Sequence, residues 1–177
     1  AIASILLNHN TKNTNVVLGD RYTTLYGRAY IEDVLCGCRF RIAPDAFYQV
    51  NHDGAELLYG IAAERADLSG SETLLDLYCG VGTICMSMAS RASKLIGVEI
   101  IPEAIENAKK NAERSGIHNA ELFCADAGQA ADRLAKEGLR HLRTIVAGSG
   151  VFSETSISIS LPFRPVAVCL DGVTVAD

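Results

Sequence analysis

The chain contains no tryptophan, only four prolines and only two methionines among its 177 residues. It also lacks any apolar run near the roughly 20 residues that a membrane-spanning helix needs, so we expect no membrane partner. Its first residues show no basic segment followed by an apolar one, and we therefore expect no secretory signal there. The net charge of −5 argues against a surface that binds nucleic acid over its whole extent.

Cysteine is present, but without the spacing of a metal site. Six cysteines are scattered along the chain, mostly inside apolar runs. Cys36 and Cys38 form a C-x-C pair with no second pair nearby, so we predict packing there and no metal site. Scattered apolar thiols are typical of a reducing compartment, and they predict a cytoplasmic protein.

The first quarter of the chain reads as a β-rich segment. Residues 4–45 alternate short apolar runs with glycine turns, and we predict strands there, including one over residues 14–20. Residues 1–45 are too few for an independent domain. Four arginines, Arg21, Arg28, Arg39 and Arg41, lie among aromatic residues, a pattern that suits RNA contact. On composition alone an exposed sheet face is the favoured alternative.

Helical and strand-like patterns alternate from residue 46 to the end, which predicts a second domain over 46–177. Apolar runs begin at Thr73, Lys94 and Ala120, and further ones follow near residues 142 and 166. Short β-α-β connections of this kind predict an α/β fold, a Rossmann-like parallel sheet with helices on both faces. The helix over residues 52–68 is predicted to bury a stripe formed by Leu57, Leu58, Ile61 and Ala62.

The segment DLYCGVGTIC holds the strongest binding motif. Gly80 and Gly82 give G-x-G at the end of the first sheet strand, but Cys85 stands where a dinucleotide fingerprint has its third glycine. Asp76 precedes the turn, and Glu99 ends the next strand. The first carboxylate suits an ammonium group and the second a ribose, which together indicate S-adenosylmethionine. The alternative is a tight turn with acidic strand ends facing solvent.

Asp126 ends the third strand of the predicted sheet. It is a candidate for a position near the adenine of the cofactor. As an alternative of equal weight, its side chain caps the helix that follows.

Four segments of the sequence resemble the RNA uracil-C5 methyltransferases, especially those that act on 23S ribosomal RNA. The segments are FRIAPDAFYQVN, LLDLYCGVGTICMSMA, GVEIIPEAIENAKKNAERSGIHNAELFCAD and TNVVLGDRYTTLYGRAYIEDVLCGCRFRI. The resemblance implies a class I methyltransferase that uses S-adenosylmethionine to make 5-methyluridine in RNA. In this family a cysteine thiolate adds to C6 of the uracil, which makes C5 nucleophilic.

The resemblance also implies which residues bind the cofactor. Gln49 would contact it, Tyr78 would pack on it, Glu99 would bind its ribose and Asp126 would lie beside its adenine. Gly80 and Gly82 would let the backbone approach the methionine end. Cys79, although beside the cofactor, is interpreted as a packing residue. The RNA substrate is the one partner expected, with no obligate protein partner.

The C-terminal part departs from the family pattern. Cys169 in AVCLDG is the candidate nucleophile, and a buried strand cysteine is the alternative of equal weight. From about residue 143 the pattern is atypical, because the family's Asp-Pro motif is missing. The family's iron–sulfur cysteines and RNA-binding domain would precede residue 1, and its catalytic Glu would follow residue 177. A partial catalytic core is therefore predicted. The alternatives are a non-catalytic SAM- or RNA-binding fragment, or a class I methyltransferase with another substrate.

Overall fold

The computed structural model describes residues 2–13, 15 and 17–137 in full, and the backbone of residues 142–146 and 166–167. Cys169 lies outside these residues. None of the helices described there is long and apolar enough to cross a membrane. The elements are β1 Ser4–His9, β2 Arg21–Gly27, β3 Ile31–Leu35, β4 Cys38–Ile42, α1 His52–Arg65, β5 Thr73–Asp76, α2 Thr83–Ser87, a 3-10 turn Ala89–Arg91, β6 Lys94–Glu99, α3 Pro102–Arg114, β7 Ala120–Cys124, α4 Ala127–Lys136, β8 Leu142–Val146 and β9 Val166–Ala167.

A parallel sheet forms the centre of the molecule, with strand order β7-β6-β5-β8-β9. Neighbouring side chains along its strands face opposite sides. Leu74 and Leu95 join one apolar cluster, which includes Ile105 of α3. Leu75 and Ile96 join a second cluster with residues of α4. Helices therefore cover both faces, and the predicted α/β fold is confirmed.

Two antiparallel hairpins, β1–β2 and β3–β4, make up the β-rich segment that precedes the sheet. The strand predicted over residues 14–20 is wrong, because the described residues of that segment form a loop. The Asn8 side chain accounts for this difference. It accepts a hydrogen bond from the Gly19 N–H and donates one to the Gly19 carbonyl, both at 2.8 Å. Gly19 therefore bonds to a side chain instead of to a neighbouring strand.

The β3–β4 hairpin packs into the core of the sheet unit. Leu35, Phe40 and Ile42 are buried in the same cluster as Leu74. The domain boundary between residues 45 and 46 stays a prediction, and this shared core favours placing β3 and β4 with the residues that follow.

Helix α1 buries a different stripe from the predicted one. Leu57 and Ile61 are 68% and 45% exposed, so these two members of the predicted stripe are wrong, whereas Ala62 is buried. The inward stripe repeats every three or four residues but consists of small side chains and one tyrosine. Small side chains let the helix lie close to the core. A prediction from hydropathy misses this stripe because it ranks leucine above alanine. The buried residues are Ala55, Tyr59, Ala62 and Ala63.

Asn111 of α3 joins the β-rich segment to the glycine turn. Its side chain is fully buried. Its Oδ1 accepts a hydrogen bond from the Arg41 N–H of β4 at 2.9 Å, and its Nδ2 donates one to the Val81 carbonyl at 3.2 Å. Buried polar groups are costly to leave unpaired, so this one amide stabilises two backbone segments at once.

We expect Asn111→Leu to lower the free energy of unfolding by about 2 to 4 kcal/mol, because it leaves two buried backbone groups unpaired. Urea unfolding followed by circular dichroism measures the change. Lys110→Leu is the matched control, since it makes the same replacement at the exposed neighbouring position and should cost no more than about 0.5 kcal/mol. Equal stability of the two variants would contradict the role of Asn111.

Candidate functional site

A cleft of about 500 Å³ lies where β5 and β6 end. This volume is within the usual range for small-molecule sites, roughly 300–1,000 Å³. The carboxyl ends of parallel strands are also where α/β sheets commonly bind ligands. Four segments supply the walls: the loop of residues 43–51, helix α1, the glycine turn and the start of α3. The polar lining residues are Asp45, Gln49, Tyr59, Asp76, Tyr78, Thr83, Glu99, Glu103 and Asn107.

The glycine turn needs its glycines for two different reasons. Gly80 has φ +54° and Gly82 has φ +90°, a region that side chains with a Cβ rarely adopt. A Cβ on Gly82 would lie 2.3 Å from Cε of Met86, so the turn also packs tightly onto α2. Gly80 lines the cleft, whereas Gly82 is not among the residues that line it and packs against Met86.

Asp76 places a buried carboxylate at the cleft. It is 1% exposed. Its Oδ1 accepts a hydrogen bond from the Tyr78 N–H at 3.1 Å, while its Oδ2 has no hydrogen-bond partner among the described residues. Burial raises its pKa to about 7, helped by the nearby Glu99 charge and opposed by the Tyr78 and Cys85 amides. A cationic group in the cleft would supply the missing partner.

Glu99 holds the ends of two strands together. Its Oε2 accepts a hydrogen bond from the Gly80 N–H at 3.1 Å. Its Oε1 accepts two more, from the N–H groups of Ile100 at 2.8 Å and Ile101 at 3.1 Å. An ionised carboxylate offers about four acceptor positions, so capacity for a hydroxyl group of a ligand remains.

The loop of residues 43–51 forms part of the cleft wall, and Tyr48 anchors it to β3. The Tyr48 hydroxyl donates a hydrogen bond to Oδ2 of Asp33 at 3.0 Å, and its ring packs against Phe40. Burial and this carboxylate raise the pKa of Tyr48. Since Gln49 lines the cleft and is the next residue, this anchor also positions Gln49.

The structure brings four of the six predicted cofactor-binding residues to the cleft: Gln49, Tyr78, Gly80 and Glu99. Gly82 belongs to the same turn but does not line the cleft. Asp126 is exposed and does not line it. Its Oδ1 accepts hydrogen bonds from the N–H groups of Gly128 at 2.9 Å and Gln129 at 3.2 Å, so its side chain caps α4. The capping alternative is therefore present in the structure, and an adenine contact stays a prediction.

Cys79 is buried over the neighbouring strand. A Cβ on Gly97 of β6 would lie 3.1 Å from Sγ of Cys79, so the thiol fills the space that this glycine leaves. Burial raises the pKa of Cys79 and keeps the thiol protonated. The geometry therefore supports packing. Among the described residues, no three His, Cys, Asp or Glu side chains are grouped as a metal site would need.

Tyr59 is a lining residue that the sequence did not single out. It belongs to the buried stripe of α1, and its hydroxyl lies 3.3 Å from Oγ1 of Thr83. An aromatic residue at helical spacing is typical of a core position. What distinguishes Tyr59 from a core residue is its contact with Thr83 of α2. Local sequence patterns do not predict contacts between residues that are far apart in the chain.

Comparison with known proteins identifies related sequences. A family model described as a methyltransferase domain matches residues 68–139. An uncharacterized RNA methyltransferase of Bacillus cereus is 44% identical over 138 residues, which are 78% of this chain and 30% of that protein. A second one, from Lactiplantibacillus plantarum, is 42% identical over 139 residues, with the same shares. The chain thus spans about 30% of the length of the curated relatives it matches.

Solved structures share the fold. The Pyrococcus abyssi tRNA (uracil-54, C5)-methyltransferase, in complex with S-adenosyl-L-homocysteine, has a TM-score of 0.67 and 28% identity, covering 84% of this chain and 35% of that one. The Methanocaldococcus jannaschii enzyme described as a tRNA m1G37 methyltransferase has a TM-score of 0.55 and 19% identity, covering 70% and 37%. The second similarity shows the fold alone.

We expect the stability contribution of Asp76 to fall as the pH rises from about 4 to 7. Folding raises its pKa from 3.8 to about 7, so within this window the folded state holds a proton that the unfolded state has released. Between pH 4 and pH 8 the wild type should lose about 2 to 4 kcal/mol of unfolding free energy relative to Asp76→Asn. Urea titrations at a series of pH values measure the difference.

The exposed Asp132→Asn variant is the control for this titration. Its unfolding free energy should follow that of the wild type at each pH. If wild type and Asp76→Asn change in parallel across the window, Asp76 is not the buried titrating group.

Proposed function

We propose that this chain is the cofactor-binding core of an RNA methyltransferase that uses S-adenosylmethionine. The observation that carries the proposal is the pair of carboxylates in one cleft. Asp76 presents an oxygen without a hydrogen-bond partner among the described residues, and Glu99 ends the adjacent strand. The methyltransferase-domain match over residues 68–139 covers both.

The proposal places the groups of the cofactor in a definite order along the strand ends. Its ammonium group would meet the Asp76 carboxylate, an ion pair that burial strengthens. Its ribose hydroxyls would donate to Glu99, Tyr78 would pack on it and Gln49 would contact it. The adenine would extend toward the end of β7, where Asp126 lies. When bound, S-adenosylmethionine supplies an electrophilic methyl group.

We propose C5 of uridine in RNA as the methyl acceptor. The support is the resemblance of four sequence segments to the uracil-C5 enzymes, and the similarity to the P. abyssi tRNA (uracil-54, C5)-methyltransferase. The sequence resemblance favours 23S ribosomal RNA as the substrate. Transfer RNA is the second candidate, favoured by that solved structure. The target base would have to leave its stack to reach the cleft.

Cys169 is the proposed nucleophile. Its thiolate would add to C6 of the uracil, which turns C5 into a carbon nucleophile, and would leave again once the C5 proton has been removed. Because this assignment rests on the resemblance alone, a fragment that binds cofactor or RNA without catalysis is the alternative for this chain. A covalent adduct with RNA would distinguish the two.

The cofactor assignment predicts that Glu99→Gln weakens S-adenosylmethionine binding about tenfold or more, since hydrogen bonds to a charged group contribute roughly 1.5–3 kcal/mol. Isothermal titration calorimetry at pH 8 measures the dissociation constant. Glu106→Gln is the matched control, because it makes the same change on the exposed side of α3. A folded wild type that shows no heat of binding, or equal affinities for the two variants, would contradict the assignment.

The acceptor assignment predicts a covalent adduct with RNA that contains 5-fluorouridine. Fluorine at C5 cannot leave as a proton, so the bond between Cys169 and C6 should persist after methyl transfer. Gel mobility under denaturing conditions detects the adduct. Cys169→Ala should abolish it, whereas Cys124→Ala, which changes an exposed cysteine, should not.

Ribosomal and transfer RNA fragments, each carrying 5-fluorouridine, are tested side by side. An adduct with the ribosomal fragment alone supports the first substrate, and one with the transfer RNA alone supports the second. Cofactor binding without any adduct would overturn the uracil-C5 assignment and favour the non-catalytic alternative.

A further inference from the structure

Four cations are brought together where β4 packs along α3, and they form what we call the basic stripe: Arg39, Arg41, Lys110 and Arg114. Backbone hydrogen bonds fix this arrangement. The Arg39 N–H donates to Oγ of Ser115 at 3.0 Å, and the Arg41 N–H donates to Oδ1 of Asn111 at 2.9 Å. Lys110 and Arg114 directly precede these two helix residues, so the cations of the strand and of the helix are neighbours.

The two arginines of β4 face away from the core. Phe40 and Ile42 alternate with them and are buried, and successive side chains of a strand point to opposite faces. The guanidinium of Arg41 lies over the ring of Tyr30, 3.3 Å from its centroid. Stacking orients a guanidinium and leaves its in-plane N–H groups available, and these match the oxygens of a phosphate.

One face of α3 leads from the basic stripe to the cleft. Glu103 and Asn107 line the cleft. Lys110 and Arg114 follow at spacings of three and four residues, which places all four side chains on the same face of the helix. The rise of about 1.5 Å per residue puts Lys110 about 5 Å and Arg114 about 10 Å beyond Asn107 along the axis. The basic stripe therefore begins next to the cleft.

The cations of the basic stripe have no carboxylate partner. None of them makes an ion pair with a residue that the structure describes. Glu32 of the adjacent strand pairs with Arg28 at 3.1 Å. Glu106 of α3 pairs with Lys109 at 3.0 Å, and the exposed Glu113 makes no ion pair within the described part of the chain. Four such cations side by side repel one another, so an anion that lies along them would be stabilised.

The spacing of the cations suits a row of phosphates. Two helix residues that are four apart have Cβ atoms roughly 5–6 Å apart, and two strand residues that are two apart are separated by about 6.6 Å. A polynucleotide strand carries one negative charge per nucleotide at a regular interval. A double row of cations that repeats in this way complements such a strand better than it complements a single small anion.

We propose that the basic stripe binds the phosphate backbone of the RNA substrate, on nucleotides next to the one whose base enters the cleft. This inference rests on the proposed RNA methyltransferase function and adds the path of the RNA strand across this chain. Phosphate contacts fix the position of a nucleic acid but carry no sequence information. The basic stripe therefore positions the strand, and the choice of the base is left to the cleft.

The test measures the binding of a short fluorescein-labelled single-stranded RNA that contains no uridine, which separates phosphate contacts from recognition of the target base. Fluorescence anisotropy on the full chain gives the dissociation constant from about 50 to 200 mM salt. The double variant Lys110→Gln with Arg114→Gln should bind about tenfold or more weakly at about 100 mM salt. The slope of log K against log salt should become shallower by about 1.4, since each lost phosphate contact removes about 0.7.

The double variant Arg133→Gln with Lys136→Gln is the matched control. It also removes one arginine and one lysine from exposed positions of a helix, but from α4, which covers the other face of the sheet. Its RNA affinity should change less than about twofold, because salt screens distant surface charges. Arg41→Lys keeps the charge and loses the planar fork, so it should weaken binding severalfold. Circular dichroism checks that each variant is folded.

Three results would overturn the inference: equal losses in the two double variants, unchanged affinity after removal of Lys110 and Arg114, or a folded wild type that does not bind this RNA at about 50 mM salt. The proposed function is judged separately, by the heat of S-adenosylmethionine binding and by the adduct with 5-fluorouridine RNA. The two proposals can therefore fail independently.

Discussion

The Glu99 carboxylate determines the shape of the cleft. Parallel strands end side by side, and further backbone N–H groups lie just beyond the ends of β5 and β6. Glu99 accepts hydrogen bonds from three of them: one in the glycine turn after β5 and two that lead into α3. The carboxylate proposed to bind the ribose therefore also holds the protein backbone around it. A site built in this way is formed before the ligand arrives, which lowers the ordering cost of binding.

The rest of the site depends on packing behind this carboxylate. Asn111 holds Val81 from the α3 side, Met86 supports Gly82, and Cys79 fills the space over Gly97. In the loop of residues 43–51, Tyr48 joins the segment that carries Gln49 to β3. The β3–β4 hairpin thus supports both parts of the cleft wall.

Local patterns predicted the sheet well, because its signals are local. Continuous apolar runs give strands buried on both faces, and the glycine pair with its two acidic neighbours predicted a shared cleft. The wrong predictions concern residues whose contact partners are distant in the sequence. The inward face of α1 uses Ala62 and Tyr59 instead of Leu57, and the Asn8 side chain replaces a strand partner for Gly19. The sequence pattern did not single out Tyr59, because its contact with Thr83 forms only when α1 and α2 pack together.

The charges of the cleft lead to the central claim, that Asp76 and Glu99 together bind S-adenosylmethionine. Burial raises the pKa of Asp76 to about 7, so a bound cation would shift it toward ionisation and stabilise the complex. A crystal structure of the chain with S-adenosylhomocysteine tests this claim most directly. The account predicts the ligand's ammonium within hydrogen-bond distance of Oδ2 of Asp76 and its ribose hydroxyls at Glu99. A ligand bound elsewhere, or one that leaves Oδ2 of Asp76 without a partner, would contradict it.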